Sequence, residues 1–212
     1  MEWVCLSFGV AGINQLVASI KKSFKTMKIS YLSIFIITAI FLFSFNDSKS
    51  IVKDSDEILW ESQRKLVWED FTGIVDTSSN AEAQTYYQIK IIDSYFEKNL
   101  PKYRLGCYFI KSNSWTKTNE KIALQHEQLH FDIAEIFARK IRKKFDSLNI
   151  KKCNTQYTYK EIYSRLGKSC DEYHHRYDGE VYFDSVQQKK WRSKVTLELE
   201  RLKKYAYSAA VK

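Results

Sequence analysis

Four changes of hydrophobic rhythm divide the chain. Ile29 to Phe45 is apolar on every face and carries no charge. Ala83 to Ile91 alternates, with Ala83, Thr85, Tyr87, Ile89 and Ile91 on one side and Gln84, Tyr86, Gln88 and Lys90 on the other, the rhythm of a half-buried strand. Tyr103 to Lys111 predicts a second strand, Leu105, Cys107 and Phe109 facing one way and Tyr108 and Ile110 the other. Beyond Thr118 the period lengthens, and Leu129, Ile133, Ile136, Phe137 and Ile141 make a helical core stripe.

Weaker signals fill the gaps. Leu66 to Gly73 predicts a short strand or turn buried by Trp68 and Phe71, and Asp76 to Asn80 a turn. Ser94 to Leu100 reads as a brief helical turn stopped by Pro101. Thr118 or Asn119 is placed to cap the long helix, with Glu120 bringing negative charge to its first turn. Arg139, Lys140, Arg142, Lys143 and Lys144 read as its solvated, dipole-complementing end, or as an envelope-binding patch. Ala134, one turn past His130, leaves room for a second helix. Thr158 to Leu166 predicts a short helix stopped by Gly167, and Asp171 to Tyr205 a helical stretch broken near Gly179 with Trp191, Val195, Leu199 and Leu202 buried. Strands first and helices afterwards predict an α+β chain: a small N-terminal antiparallel sheet, then a helical part.

Charge adds a location. The net charge is +9 over 212 residues, and residues 1–28 hold four lysines against one glutamate, which leaves +6 for the rest. Lys21, Lys22, Lys25 and Lys28 precede the apolar run, the layout of a secretory signal or N-terminal anchor helix. We therefore divide the chain into a basic extension at 1–28 (cytoplasmic, or an early start of the reading frame), a signal peptide or membrane anchor at 29–45, a polar linker at 46–57 and a folded domain at 58–205. That places the domain outside the cytoplasm, periplasmic or secreted. No glycine-rich phosphate loop or arginine cluster supports nucleic acid as a partner. Cys107 reads as a small buried residue, while Cys153 and Cys170 flank a short helix and are a candidate disulfide for an oxidising compartment.

The chemistry lies in His126-Glu127-Gln128-Leu129-His130. Four residues apart on a helix, the two imidazoles share a face and reach one zinc ion, Zn2+, while Glu127 faces a water that the metal acidifies and acts as general base. The other reading is a surface helix with two histidines and no metal. A catalytic zinc needs a third ligand, and His174, His175, Asp178 and Glu180 are the candidates. His174 and Asp178, four apart, share a face, so that one binds while the other orients. Tyr173, Tyr177 or Tyr182 could donate to a developing oxyanion.

The chain also resembles a bacterial family, domain of unknown function 922, regarded as secreted metallopeptidases. The resemblance rests on Leu66-Val67-Trp68-Glu69-Asp70-Phe71-Thr72-Gly73, Ala83-Gln84-Thr85, Ser114-Trp115, the helix from His126 to Lys143, and Tyr177-Asp178-x-Glu180 followed by Gln188 and Trp191. It implies a zincin-like helical part and a cell-envelope zinc peptidase acting on a peptide or protein substrate, with His126 and His130 as ligands and, as the third, either a later family histidine or Asp178, which we favour ahead of His174 and His175. It also implies an edge strand that pairs with extended substrate, for which Tyr103 to Lys111 stands in the right order. The family pattern continues with a histidine where this chain has Phe183, and that departure motivates the alternative: a non-catalytic envelope protein binding peptide or polymer through the same groove.

Overall fold

A computed structural model describes residues 55–181 and 184–207, all within one compact unit spanning Lys53–Lys212. The expected export segment and Phe183 lie outside the described residues. Among those described, no helix is long and apolar enough to cross a membrane.

Over the described residues the chain is α+β, with small antiparallel sheets first and three helices after. The strands are β1 (Glu57–Leu59), β2 (Ala83–Gln84), β3 (Tyr87–Glu97), β4 (Leu100–Ile110) and β5 (Trp115–Thr116). They form a three-stranded sheet in the order β1-β4-β3 and a two-stranded sheet, β2-β5. The helices are α1 (Lys121–Ile150), α2 (Gln156–Val181) and α3 (Ser185–Arg201).

Both long strands outrun their predicted ends. β3 and β4 make one hairpin whose connection is Lys98 and Asn99 alone, both left-handed (φ 50° and 61°). Two left-handed residues match the twist of a tight hairpin, and asparagine tolerates that conformation. The helical turn expected at Ser94 to Leu100 is therefore strand and turn. With no Asn-Gly pair and an exposed outer half of β3, little in the sequence marks it. Leu66 to Gly73 contains a 3-10 turn, Trp68–Asp70, and Leu66 and Phe71 are buried. Gly73 is required there: a Cβ would stand 2.8 Å from the carbonyl oxygens of Ser112 and Ser114.

Helix α1 is the hub. Residues 131 to 139 are buried without interruption. It carries two apolar faces rather than the single predicted stripe. Phe131, Ala134, Ala138, Ile141 and Phe145 pack in a cluster with Leu105, Cys107 and Phe109 of β4 and with Trp60, so Ala134 lies in the sheet-side core. Leu129, Ile133, Ile136 and Phe137 pack in a second cluster with Tyr177, Trp191 and Val195 of α2 and α3. Each large side chain so buried contributes about 1.5–3 kcal/mol.

Several predicted boundaries move. The residue before α1 is Glu120, without a side-chain cap; Thr118 Oγ1 instead accepts from the Glu120 amide at 3.1 Å, closing a turn one step earlier. Helix α2 runs through both Gly167 and Gly179 and ends at Val181. The surrounding helix overrides the glycine at a cost of about 1 kcal/mol relative to alanine. Asp184 caps α3, accepting from the amides of Val186 (2.8 Å) and Gln187 (3.0 Å). Cys107, Cys153 and Cys170 are free thiols. Between the latter two lie the first four turns of α2, a rod of about 21 Å that keeps them apart.

The basic run on α1 divides. Lys143 and Lys144 are exposed, but Arg139 is buried and Arg142 nearly so. Buried Glu135 accepts from Arg139 Nε at 2.8 Å and from Arg142 Nη1 at 2.9 Å. The guanidiniums also donate to the carbonyls of Leu199, Leu105 and Tyr205. Three segments distant in sequence are thus tied to α1.

Two stability changes follow. Arg139→Met leaves Glu135 under-paired at a buried site and lowers unfolding free energy by about 3 kcal/mol, read from urea denaturation. Gly167→Ala, where an added Cβ meets nothing within 4 Å, raises it by up to about 1 kcal/mol in the same assay.

Candidate metal centre

The first half of α1 carries His126, Glu127 and His130 on one side, and α2 brings Asp178 up to them. His126 Nε2 and His130 Nε2 stand 3.0 Å apart. Asp178 Oδ1 lies 3.2 Å from the first and 2.9 Å from the second. Three donors bound to one tetrahedral zinc at 2.0–2.1 Å stand about 3.3 Å from one another, so the triangle fits such an ion within a few tenths of an ångström. These three residues form the only group of three or more histidine, cysteine or acidic side chains with metal-ligand spacing among the described residues.

The other candidates are placed as well. His174 is buried and lies on the opposite side of the His130 ring: its Nδ1 is 2.8 Å from His130 Nδ1. It stacks on Tyr87 of β3, ring centroids 4.8 Å apart. His175 is exposed at the rim of the cleft. Glu180 accepts from Trp191 Nε1 at 2.9 Å, joining α2 to α3 instead of facing the histidines. Tyr177 is fully buried, its ring stacked on His126 at 4.6 Å, so it supports a candidate ligand from behind and does not face the cleft. Tyr173 packs on Phe137 and Trp191 in the helical core, and Tyr182 lies outside the described residues.

Electrostatics tie the cluster together. Burial alone pulls the His130 imidazolium down, but the Asp178 hydrogen bond and the charges of Glu127 and Asp178 outweigh it, and His130 titrates above its ordinary value. Burial works against the Asp178 carboxylate too, yet the two imidazoles hold it well below the usual carboxylate range. His174 is pushed down to about 3, first by burial and then by His130 beside it, and stays neutral at physiological pH.

The cleft above the triangle has a volume of about 400 Å³. Glu127 lines it, although the residue is only 5 % exposed, and its Oε2 is buried without a hydrogen-bond partner. Across from the helices the wall is Ala83, Gln84 and Thr85, and Thr85 Oγ1 donates to the Glu127 carbonyl at 3.2 Å. Because Lys117 donates to the Glu82 carbonyl, the pair Ala83 and Thr116 falls at the non-bonded position of the β2-β5 ladder. The backbone N–H and C=O of Ala83 accordingly point away from β5. The strand expected to offer an edge to substrate, Tyr103 to Lys111, is the central strand, with β3 on one side and β1 on the other over Tyr108–Ile110, and it lines no part of the cleft. β2 holds that position instead.

Residues around the cluster brace it. Gln128 donates to Asp132 Oδ1 at 2.9 Å and accepts from the Leu66 amide at 2.8 Å, while Trp60 Nε1 donates to the same Asp132 oxygen at 2.8 Å. Ser114 accepts from the Tyr86 amide, and Trp115 donates to Gln84. Gln188 donates to the Ile122 carbonyl near the start of α1. Sequence reasoning missed Thr85, Tyr87 and the Trp60–Gln128–Asp132 link. The one local trace was polar Gln128 and Asp132 at helical spacing, one turn apart beside the motif.

Taken by class, this is an α+β chain with two histidines of one helix and an aspartate of the next gathered at the floor of a cleft. Residues 111–182 match the family described as "Bacterial protein of unknown function (DUF922)", a stretch holding every member of the cluster. Among curated proteins and solved structures, nothing matches the chain.

Proposed function

We propose that the chain is a zinc-dependent peptidase of zincin-like architecture, holding the ion between His126, His130 and Asp178. The observation that carries the reading is the triangle of donor atoms with edges of 2.9 to 3.2 Å beside a buried carboxylate oxygen that nothing satisfies. A zinc ion bound there would supply Lewis acidity, polarising a carbonyl and making water easier to deprotonate.

The chain's own groups do the rest. Glu127 Oε2 takes the proton of the attacking water and returns it to the departing amine, so the carboxylate ends each cycle as it began. Burial keeps that oxygen free of bulk water and of competing donors. The outward N–H and C=O of Ala83 pair with the backbone of an extended peptide, which gives affinity with little dependence on side chains. His126 is held by the Tyr177 ring beneath it, and His130 by His174 behind it. Export through the basic-flanked run at 29–45 belongs to the same proposal and places the enzyme at the cell envelope.

Metal analysis of the purified chain should find about one zinc per molecule, lost on His126→Ala or Asp178→Ala. Glu127→Gln keeps the metal and removes hydrolysis of an unstructured protein such as casein, by about a hundredfold or more. A chain that takes no zinc from excess metal sinks the reading. Equal behaviour of wild type and Glu127→Gln in every assay would leave a peptide-binding protein on the same fold.

A further inference from the structure

The ring of His130 sits between two residues of α2 that are one turn apart. Asp178 meets its Nε2 edge and His174 its Nδ1 edge, at 2.9 Å and 2.8 Å. Asp178 shares the face where the donors converge. His174 lies across the ring from them and cannot reach the same ion.

A neutral imidazole carries one proton, and a nitrogen that binds a metal carries none. With His130 Nε2 committed to the ion, the proton must sit on Nδ1, and the atom 2.8 Å from it is His174 Nδ1. For that contact to be a hydrogen bond, His174 Nδ1 must be the bare, accepting nitrogen. The His174 proton then sits on Nε2, and packing fixes the position of the ring. The His174 ring is buried, stacked on Tyr87, and its Nε2 contacts no polar group. Tyr87 is held in turn, its hydroxyl 3.5 Å from both Cys170 Sγ and Asp171 Oδ1.

We infer that His174 is a positioning residue for the metal centre: by accepting at Nδ1 it fixes the tautomer and ring angle of His130, with Tyr87 of β3 clamping it from the far side. The inference rests on the zinc reading. The role usually filled by a carboxylate or a backbone carbonyl behind a metal-bound histidine is taken here by a second, uncharged imidazole. The neutral acceptor adds no negative charge to a site that already holds Asp178 and Glu127.

Side-chain geometry supplies the test. The Oδ1 of asparagine can stand where histidine carries Nδ1, while the acceptor of glutamine reaches farther, toward the Nε2 position. Zinc affinity of the full chain, measured by competition with a chromophoric chelator, should stay close to wild type in His174→Asn. It should fall about 10- to 100-fold in His174→Gln and in His174→Leu. Nitrogen-15 NMR of the zinc-loaded wild type and His174→Asn should show His130 protonated at Nδ1 alone. Equal affinity across all four proteins overturns the inference and leaves the zinc reading standing, as does an Asn variant as weak as the Leu variant. A wild type that takes no zinc overturns both.

Discussion

Burying charge on the central helix is the constraint from which the rest follows. Glu127, Asp132, Glu135 and Arg139 all lie below a tenth exposed on consecutive turns of α1. An unpaired ion removed from water costs several kcal/mol, so each such group requires a partner or a purpose. Asp132 is answered by Trp60, just after β1, and by Gln128 one turn back. Glu135 is answered by two guanidiniums that reach on to β4, α3 and the 3-10 turn Lys203–Tyr205 that follows it. The apolar clusters bring the elements together without direction, and these bonds set the register in which they meet.

On the proposed reading, α1 has a structural half and a chemical half. Its 30 residues make a rod of about 45 Å. The Glu135–Arg139–Arg142 network grips the middle, and the histidines project from the earlier turns. A metal site must hold its donors to within about half an ångström, and sites on helices do so better than sites on loops. Here two donors ride on α1 and the third on α2, and the pair is locked by Leu129, Ile133 and Phe137 against Tyr177 and Cys170. Tyr177 serves both halves, filling the core and stacking on His126.

How much of this was legible depended on whether the signal was local. Helical spacing put His126 and His130 on one face, and alternation marked Leu105, Cys107 and Phe109 as core. Asp178 as third donor came from the family resemblance, and the spacing alone left His174, His175 and Glu180 equally open. Their separation is a matter of how α2 rotates against α1, which a single sequence does not encode locally: Asp178 faces the histidines, Glu180 turns to Trp191, and His174 slips behind His130. The hairpin at Lys98 and Asn99 was missed because lysine is uncommon in that conformation and no glycine marks the turn. Gly167 misled because tertiary packing outweighs a propensity penalty of about 1 kcal/mol. The substrate edge was assigned to β4, since order along the chain cannot reveal that β2 walls the cleft instead.

The unsatisfied groups argue most strongly that the cleft is more than a packing accident. Among the described residues, five buried side-chain polar atoms lack a partner: Trp68 Nε1, Arg104 Nε, Glu127 Oε2, His174 Nε2 and Tyr177 Oη. Three of the five belong to residues that touch or flank the histidine pair. A fold that supplies two arginines to Glu135 and both an indole and an amide to Asp132 has the means to satisfy a buried carboxylate. That it leaves Glu127 unsatisfied, one residue from a donor triangle of metal dimensions, is the kind of local inconsistency that folded chains retain where binding or chemistry requires it. On the proposed reading the two carboxylates of the cleft divide the work: Asp178, held ionised by two imidazoles, is the ligand, and Glu127, buried with a bare oxygen, the general base.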